Sequence, residues 1–220
     1  MTKKLRLAVL ISGTGRTLKN FIDRIRADRL SAEIVVVISS VANVVGLQYA
    51  EGESIPVEIV ERCDYETLGE FSEANFSVCR AARADYVLLA GYLRRLEIPK
   101  DFEYRVLNIH PSLIPSFCGK GYFGDFVHSK ALEYGVKISG CTVHFVDQEY
   151  DTGPIILQRV VEVYEDDTPS RLNDRVFAAE CQAYPEAVEL LAQGRITVHG
   201  RTVKIAPPKA QKQDSADIDF

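Results

Sequence analysis

The sequence lacks a basic surplus. Lys and Arg number 26 against 31 Asp and Glu, giving a formal net charge of -5 and an isoelectric point near 5.5. A general nucleic-acid binder carries a clear basic excess, so that class is not expected. No apolar run reaches 18 residues, so no membrane-spanning helix is expected. The opening "MTKKLRLAVLIS" sets lysines before a short apolar run, as a signal peptide does. That run enters a glycine turn without a small-residue cleavage site, so it reads as a first strand. Cysteines are few and odd in number: Cys63, Cys79, Cys118, Cys141 and Cys181, with no Cys-x-x-Cys pair. A disulfide framework or structural zinc site is therefore not expected, and a reducing cytoplasm is. Internal repeats and an internal linker are absent too.

What is present alternates. Leu5 to Ser12 is an apolar run, "SGTGRT" is a turn, and Leu18, Phe21, Ile22 and Ile25 recur at helical spacing. Further strands are expected at 33–40, 56–60, 86–90 and 105–109. Helices are expected near 46–50 and over 65–84. Because the strands read as continuous apolar runs, they imply a parallel sheet covered on both faces. After residue 110 a long loop with two prolines and three glycines leads to a short helix at 128–135. Two strand-like runs follow, 141–146 and 154–163. Thr168 and Pro169 open a long helix toward Leu191, with a bend expected near Pro185. "ITVHGRTVKI" reads as a terminal hairpin. The expected fold class is α/β: a single Rossmann-like domain, residues 1–206, with a mostly parallel central sheet extended by C-terminal strands. Residues 207–220 are polar and read as a disordered tail.

In parallel α/β sheets ligands bind at the carboxyl ends of strands. Three stretches qualify: 12–17, 91–96 and 108–115. The first, with Gly13 and Gly15, presents free N–H groups at a helix start and can hold an anion. It is no dinucleotide fingerprint, since Leu18 takes the third glycine's place and the second strand ends without an acid. It equally fits a plain tight turn. In "VLNIHPSLIP", Asn108 and His110 lie two apart on a strand and face one side. Asn offers neutral donors to an oxygen that becomes negative, and His moves a proton near neutral pH. That pair suits acyl-type transfer to an attacking amine. The plainer account is that Asn108 satisfies loop backbone and His110 packs beneath the loop. Asp151, in "EYDTGP", is either the group that tunes the His or an Asx-turn residue. No metal-ligand spacing links His110, His128, His144 and Asp151, so no metal is expected.

The segments "LNIHPSLIP", "SGCTVHFVDQEYDTGPIILQ", "AVLISGTGRTL" and "VLLAGYLRRL" together resemble the 10-formyltetrahydrofolate-dependent formyltransferase family, over about residues 5–191. The resemblance is strongest to its purine-biosynthetic branch. It implies 10-formyltetrahydrofolate as formyl-donor co-substrate, the amine of phosphoribosylglycinamide as acceptor, and no nucleic-acid or membrane partner. By resemblance, Asn108 holds the formyl oxygen, His110 transfers a proton, and Asp151 supports the protonated His110 by raising its pKa. Gly15, Arg16 and Thr17 match the phosphate loop. Leu93, Arg94, Arg95 and Leu96 match the folate-site segment, Glu180 matches the contact to the glycinamide, and His144 matches an active-site His. Arg16-Thr17 replaces the family's usual Ser-Asn, and Thr17 is expected to cap the first helix. A basic residue that the family places near the folate tail falls around Leu68 and is not carried over. Methionyl-tRNA formyltransferases add a C-terminal domain, and formyltetrahydrofolate hydrolases an N-terminal one. The length and acidity of this chain favour neither. A sugar-nucleotide N-formyltransferase and a non-catalytic folate- or nucleotide-binding protein remain as alternatives.

Overall fold

The computed structural model describes residues 4–208. Residues 209–220, on which most of the expected disordered tail falls, lie outside the described residues.

A seven-stranded sheet has the order β3-β2-β1-β4-β5-β6-β7. Its strands are β1 (Leu5–Ile11), β2 (Ala32–Ser39), β3 (Val57–Ile59), β4 (Tyr86–Leu89), β5 (Val106–His110), β6 (Ile138–Phe145) and β7 (Ile155–Glu162). The first five run parallel. β6 and β7 are antiparallel and extend the sheet. Side chains alternate across β1. Leu7, Val9 and Ile11 join a core shared with helices α1 (Arg16–Arg26), α4 (Asp125–Tyr134) and α5 (Pro169–Ala192). Ala8 and Leu10 face the opposite way, into a core with α3 (Leu68–Ala81). Burial on both faces explains why the strands read as unbroken apolar runs. The short helix α2 (Leu47–Glu51) follows β2.

The C-terminal hairpin forms as expected, β8 (Ile196–His199) with β9 (Thr202–Ile205), but as a separate two-stranded sheet. The helix expected over 65–84 is shorter. Thr67 accepts from the Glu70 N–H at 3.1 Å, and the Glu70 carboxylate accepts from the Thr67 N–H at 3.2 Å. This reciprocal cap fixes the start of α3. The fourth helix begins three residues earlier than expected, at Asp125.

α5 continues through Pro185 as one helix. A proline has no N–H to give the carbonyl four residues back, here that of Cys181. Side chains from α1 satisfy it instead: Asn20 Nδ2 at 3.1 Å and an Arg24 guanidinium nitrogen at 2.7 Å. The buried Tyr184 hydroxyl donates to the Leu107 carbonyl at 2.9 Å. Thus α5 is tied to α1 on one side and to β5 on the other.

Candidate active site

The sheet changes direction between β1 and β4: later strands are added on one side as far as β3, then on the other from β4. Ligand crevices lie at such switch points, outside the carboxyl ends of strands. A cleft of about 430 Å³ opens there. Its walls include residues 12–17 and 91–96 and, of the third stretch expected from the sequence, residues 108–111. Gly13, Gly15, Arg16 and Thr17 line it from the β1–α1 turn, and Leu93, Arg94, Arg95 and Leu96 from the segment after β4. Asn108, His110, His144, Asp151 and Glu180 complete that set.

Asn108 and His110 sit on the last residues of β5, two apart, and both reach the cleft. β6 runs alongside with His144 opposite Asn108. Asp151 comes from the loop between β6 and β7. That loop is set by local chemistry. The Asp147 carboxylate accepts from the Thr152 hydroxyl at 2.7 Å and the Glu149 N–H at 3.2 Å. Asp151 itself takes φ 56°, a left-handed conformation that Asp tolerates better than most residues. At Gly153 an added Cβ would lie 1.8 Å from the Phe145 carbonyl oxygen, so only glycine fits.

The four side chains form one network. Asp151 Oδ2 accepts from the Gly119 N–H at 2.8 Å and lies 3.6 Å from His110 Nδ1. Asp151 Oδ1 lies 3.6 Å from His144 Nε2 and 3.5 Å from Asn108 Nδ2. Two carbonyls fix where the imidazole protons sit. His110 Nε2 donates to the Phe117 carbonyl at 2.9 Å, so its Nδ1, toward Asp151, is the nitrogen free to gain or lose a proton. His144 Nδ1 donates to the Phe145 carbonyl at 2.8 Å. Its Nε2 is then an acceptor in the neutral ring, 3.3 Å from the Asn108 amide nitrogen.

Asp151 does raise the His110 pKa, as expected, but it is not the largest influence on it. Burial pulls it down, and the opposing pull of Asp151 and the Phe117 carbonyl does not offset this, so the net shift is below 6.5. The resting imidazole is neutral at pH 7. Burial pushes the Asp151 carboxyl up, yet His144, His110 and the Gly119 N–H together bring it below its ordinary value. It stays a carboxylate. The site therefore offers a neutral base beside a fixed negative charge.

Thr17 does not cap α1. The helix starts at Arg16, and its cap is Gly15, in the left-handed region with φ 69° and no side-chain cap. Thr17 lies one position too far inside. An added Cβ at Gly15 would stand 2.6 Å from the Gly46 Cα, which excludes larger residues there. The first bonded amide of α1 is that of Lys19, to the Gly15 carbonyl at 2.9 Å. The amides before it have no partner within the helix. Glu180 lies on the α5 wall, and burial pushes its carboxyl up to about 8, against the pull of Arg16.

The sequence reading missed Asn173, Asp174 and Phe177. Asn173 and Phe177 line the cleft, and Asp174 pairs with Arg16. Their signal is helical spacing back from Glu180, which becomes readable only once the inward face of α5 is known. Among the described residues no group of three His, Cys, Asp or Glu side chains is placed to hold a metal ion. Among them, too, no helix is long and apolar enough to cross a membrane.

Comparison with known proteins gives this arrangement a family. Residues 5–188 match the family model described as formyl transferase. The trifunctional purine biosynthetic protein adenosine-3 of Homo sapiens is 44% identical over 196 residues, 88% of this chain and 19% of that protein. The chain thus spans about a fifth of the length of the first curated relatives it matches. The chloroplastic phosphoribosylglycinamide formyltransferase of Vigna unguiculata is 39% identical, covering 88% of this chain and 63% of that one. Among solved structures, glycinamide ribonucleotide transformylase 1 of Symbiobacterium toebii superposes with a TM-score of 0.88 at 40% identity, covering 94% of this chain and 96% of the other. The chain is therefore a member of the formyl transferase family, with phosphoribosylglycinamide formyltransferases among its relatives.

Proposed function

We propose that this protein transfers the formyl group of 10-formyltetrahydrofolate to the amine of phosphoribosylglycinamide. The observation that carries this reading is the network of Asn108, His110, His144 and Asp151 at the mouth of β5. The β1–α1 turn lies on one side of it and the 93–96 segment on the other.

The chemistry follows from the atoms. The acceptor amine attacks the formyl carbon, and the carbonyl oxygen becomes negative. The Asn108 amide faces His144 Nε2 with one N–H and, at a long 3.5 Å, Asp151 Oδ1 with the other. Exchanging that second, weak contact for the oxygen supplies a neutral donor at no cost in charge burial. The amine sheds a proton as the new C–N bond forms, and His110 Nδ1 takes it, next to the Asp151 carboxylate. The imidazolium returns that proton to the nitrogen of the departing tetrahydrofolate as its C–N bond breaks. One proton moves from acceptor to leaving group, so the reaction balances without a metal. His144 holds the Asn108 amide in orientation. Gly13, Gly15, Arg16 and Thr17 hold the acceptor phosphate, Glu180 the glycinamide, and Leu93 to Leu96 the folate. The substrates are small molecules, and the free thiols suit a cytoplasmic setting.

The test is to incubate the protein with 10-formyltetrahydrofolate and phosphoribosylglycinamide. Tetrahydrofolate and the formylated acceptor are then measured together, with formate release measured when the acceptor is left out. Equal yields of the two products, with little formate, are expected. Formate release that does not depend on the acceptor would replace transfer by hydrolysis.

A further inference from the structure

Arg16 opens α1 directly after Gly15, and its side chain crosses to α5. The guanidinium carbon lies 3.8 Å from the centroid of the Phe177 ring. One nitrogen lies 3.5 Å from Asp174 Oδ1. The two contacts differ in kind. A guanidinium stacked on a ring keeps its in-plane N–H groups for other partners. The Asp174 contact is long for a charge-assisted bond, and the Asp174 side chain is 71% exposed. Such a pair is weak and easily exchanged. Asp174, Phe177 and Glu180 are spaced three apart and share one face of α5. The platform under Arg16 is fixed, because Asn20 and Arg24 of α1 hold the Cys181 carbonyl of α5.

We propose, resting on the acceptor reading above, that Arg16 is the specificity-determining residue for a phosphomonoester on the acceptor. Phe177 positions its guanidinium, and Asp174 is a resting counter-ion that the phosphate displaces. The phosphate meets the amides at the start of α1 that have no partner within the helix, and takes a bidentate contact from Arg16. Asp174 is then a competitor: it occupies the cation while the cleft is empty and repels the incoming dianion.

The experiment compares phosphoribosylglycinamide with its dephosphorylated riboside as acceptors, in wild type and in Arg16→Gln, Phe177→Leu and Asp174→Asn variants, each checked for folding by circular dichroism. In Arg16→Gln the preference for the phosphorylated acceptor, as a ratio of kcat/KM values, should fall about 10- to 100-fold. Phe177→Leu should fall between that variant and wild type. Asp174→Asn should lower KM for the phosphorylated acceptor several-fold, a gain that no merely structural role produces. An unchanged preference in Arg16→Gln, or a raised KM in Asp174→Asn, overturns the proposal. Ribose 5-phosphate binding, followed by calorimetry in the same variants, separates this from the catalytic reading. If no variant or wild type transfers formyl groups, weaker binding in Arg16→Gln and tighter binding in Asp174→Asn still uphold the Arg16 assignment, and equal binding in all overturns it.

Discussion

His110 is held between burial, which strips its proton, and Asp151, which returns it. Asp151→Asn removes only the second influence, so His110 should titrate lower still, and activity should fall. NMR titration of the His110 ring in both proteins reads this directly, and an unmoved pKa would detach Asp151 from it. Asn108→Ala should lose about 10²- to 10³-fold in kcat, and His110→Ala about 10²- to 10⁴-fold. The double variant should lose less than the product of the two if both act in one transition state, as the proposed mechanism requires. Much of this was legible in the residues. A two-residue spacing on a strand end puts Asn108 and His110 on one side whatever the rest of the fold does. Asp151 was legible through its turn. The sign of the His110 shift was not, because burial depends on the loop that supplies the Phe117 carbonyl. Phe177 was hidden for a similar reason: an aromatic on a helix reads as core until its neighbour is known.

At the scale of elements, strands were easier to read than their ends. The α3 start shows why. Thr67-Leu-Gly-Glu70 is a capping signature, but Tyr65, aromatic and just upstream, blurs the boundary toward an earlier start. Thr67→Ala should cost about 1 kcal/mol in urea unfolding, with an unchanged denaturant slope. Wild-type stability in that variant would mean that packing of Phe71 and Phe76 alone sets the helix. The β6–β7 loop makes a harsher demand. At Gly153 a methyl group would collide with backbone, not with a side chain that could turn away. Gly153→Ala should therefore shift the loop, part Asp151 from the Gly119 N–H and reduce kcat, while the far-UV spectrum stays that of a folded protein. Full activity would show that the loop can move without taking Asp151 along.

For the molecule as a whole, the cleft carries a pH-dependent cost in stability. Burial raises Glu180 to about 8, whereas an unfolded chain holds it near 4.5. Between those values the folded state keeps a proton that the unfolded state has lost, so Glu180 makes stability fall as pH rises through that window. Glu180→Gln should remove that slope, raising Tm at pH 8 with little change at pH 4.5. An equal effect at both pH values would point to packing instead. The sheet order carries a separate consequence. Asn108 and His110 end the last parallel strand, while His144 and Asp151 belong to the antiparallel extension. The Arg16 contact to Asp174 reaches across 158 positions of chain. On a ribosome, therefore, β1 through β5 are made before Phe117 and His144, which hold His110 and Asn108, and before the α5 residues that line the cleft. The cleft is complete only once α5, the last of its walls in chain order, has been made and docked.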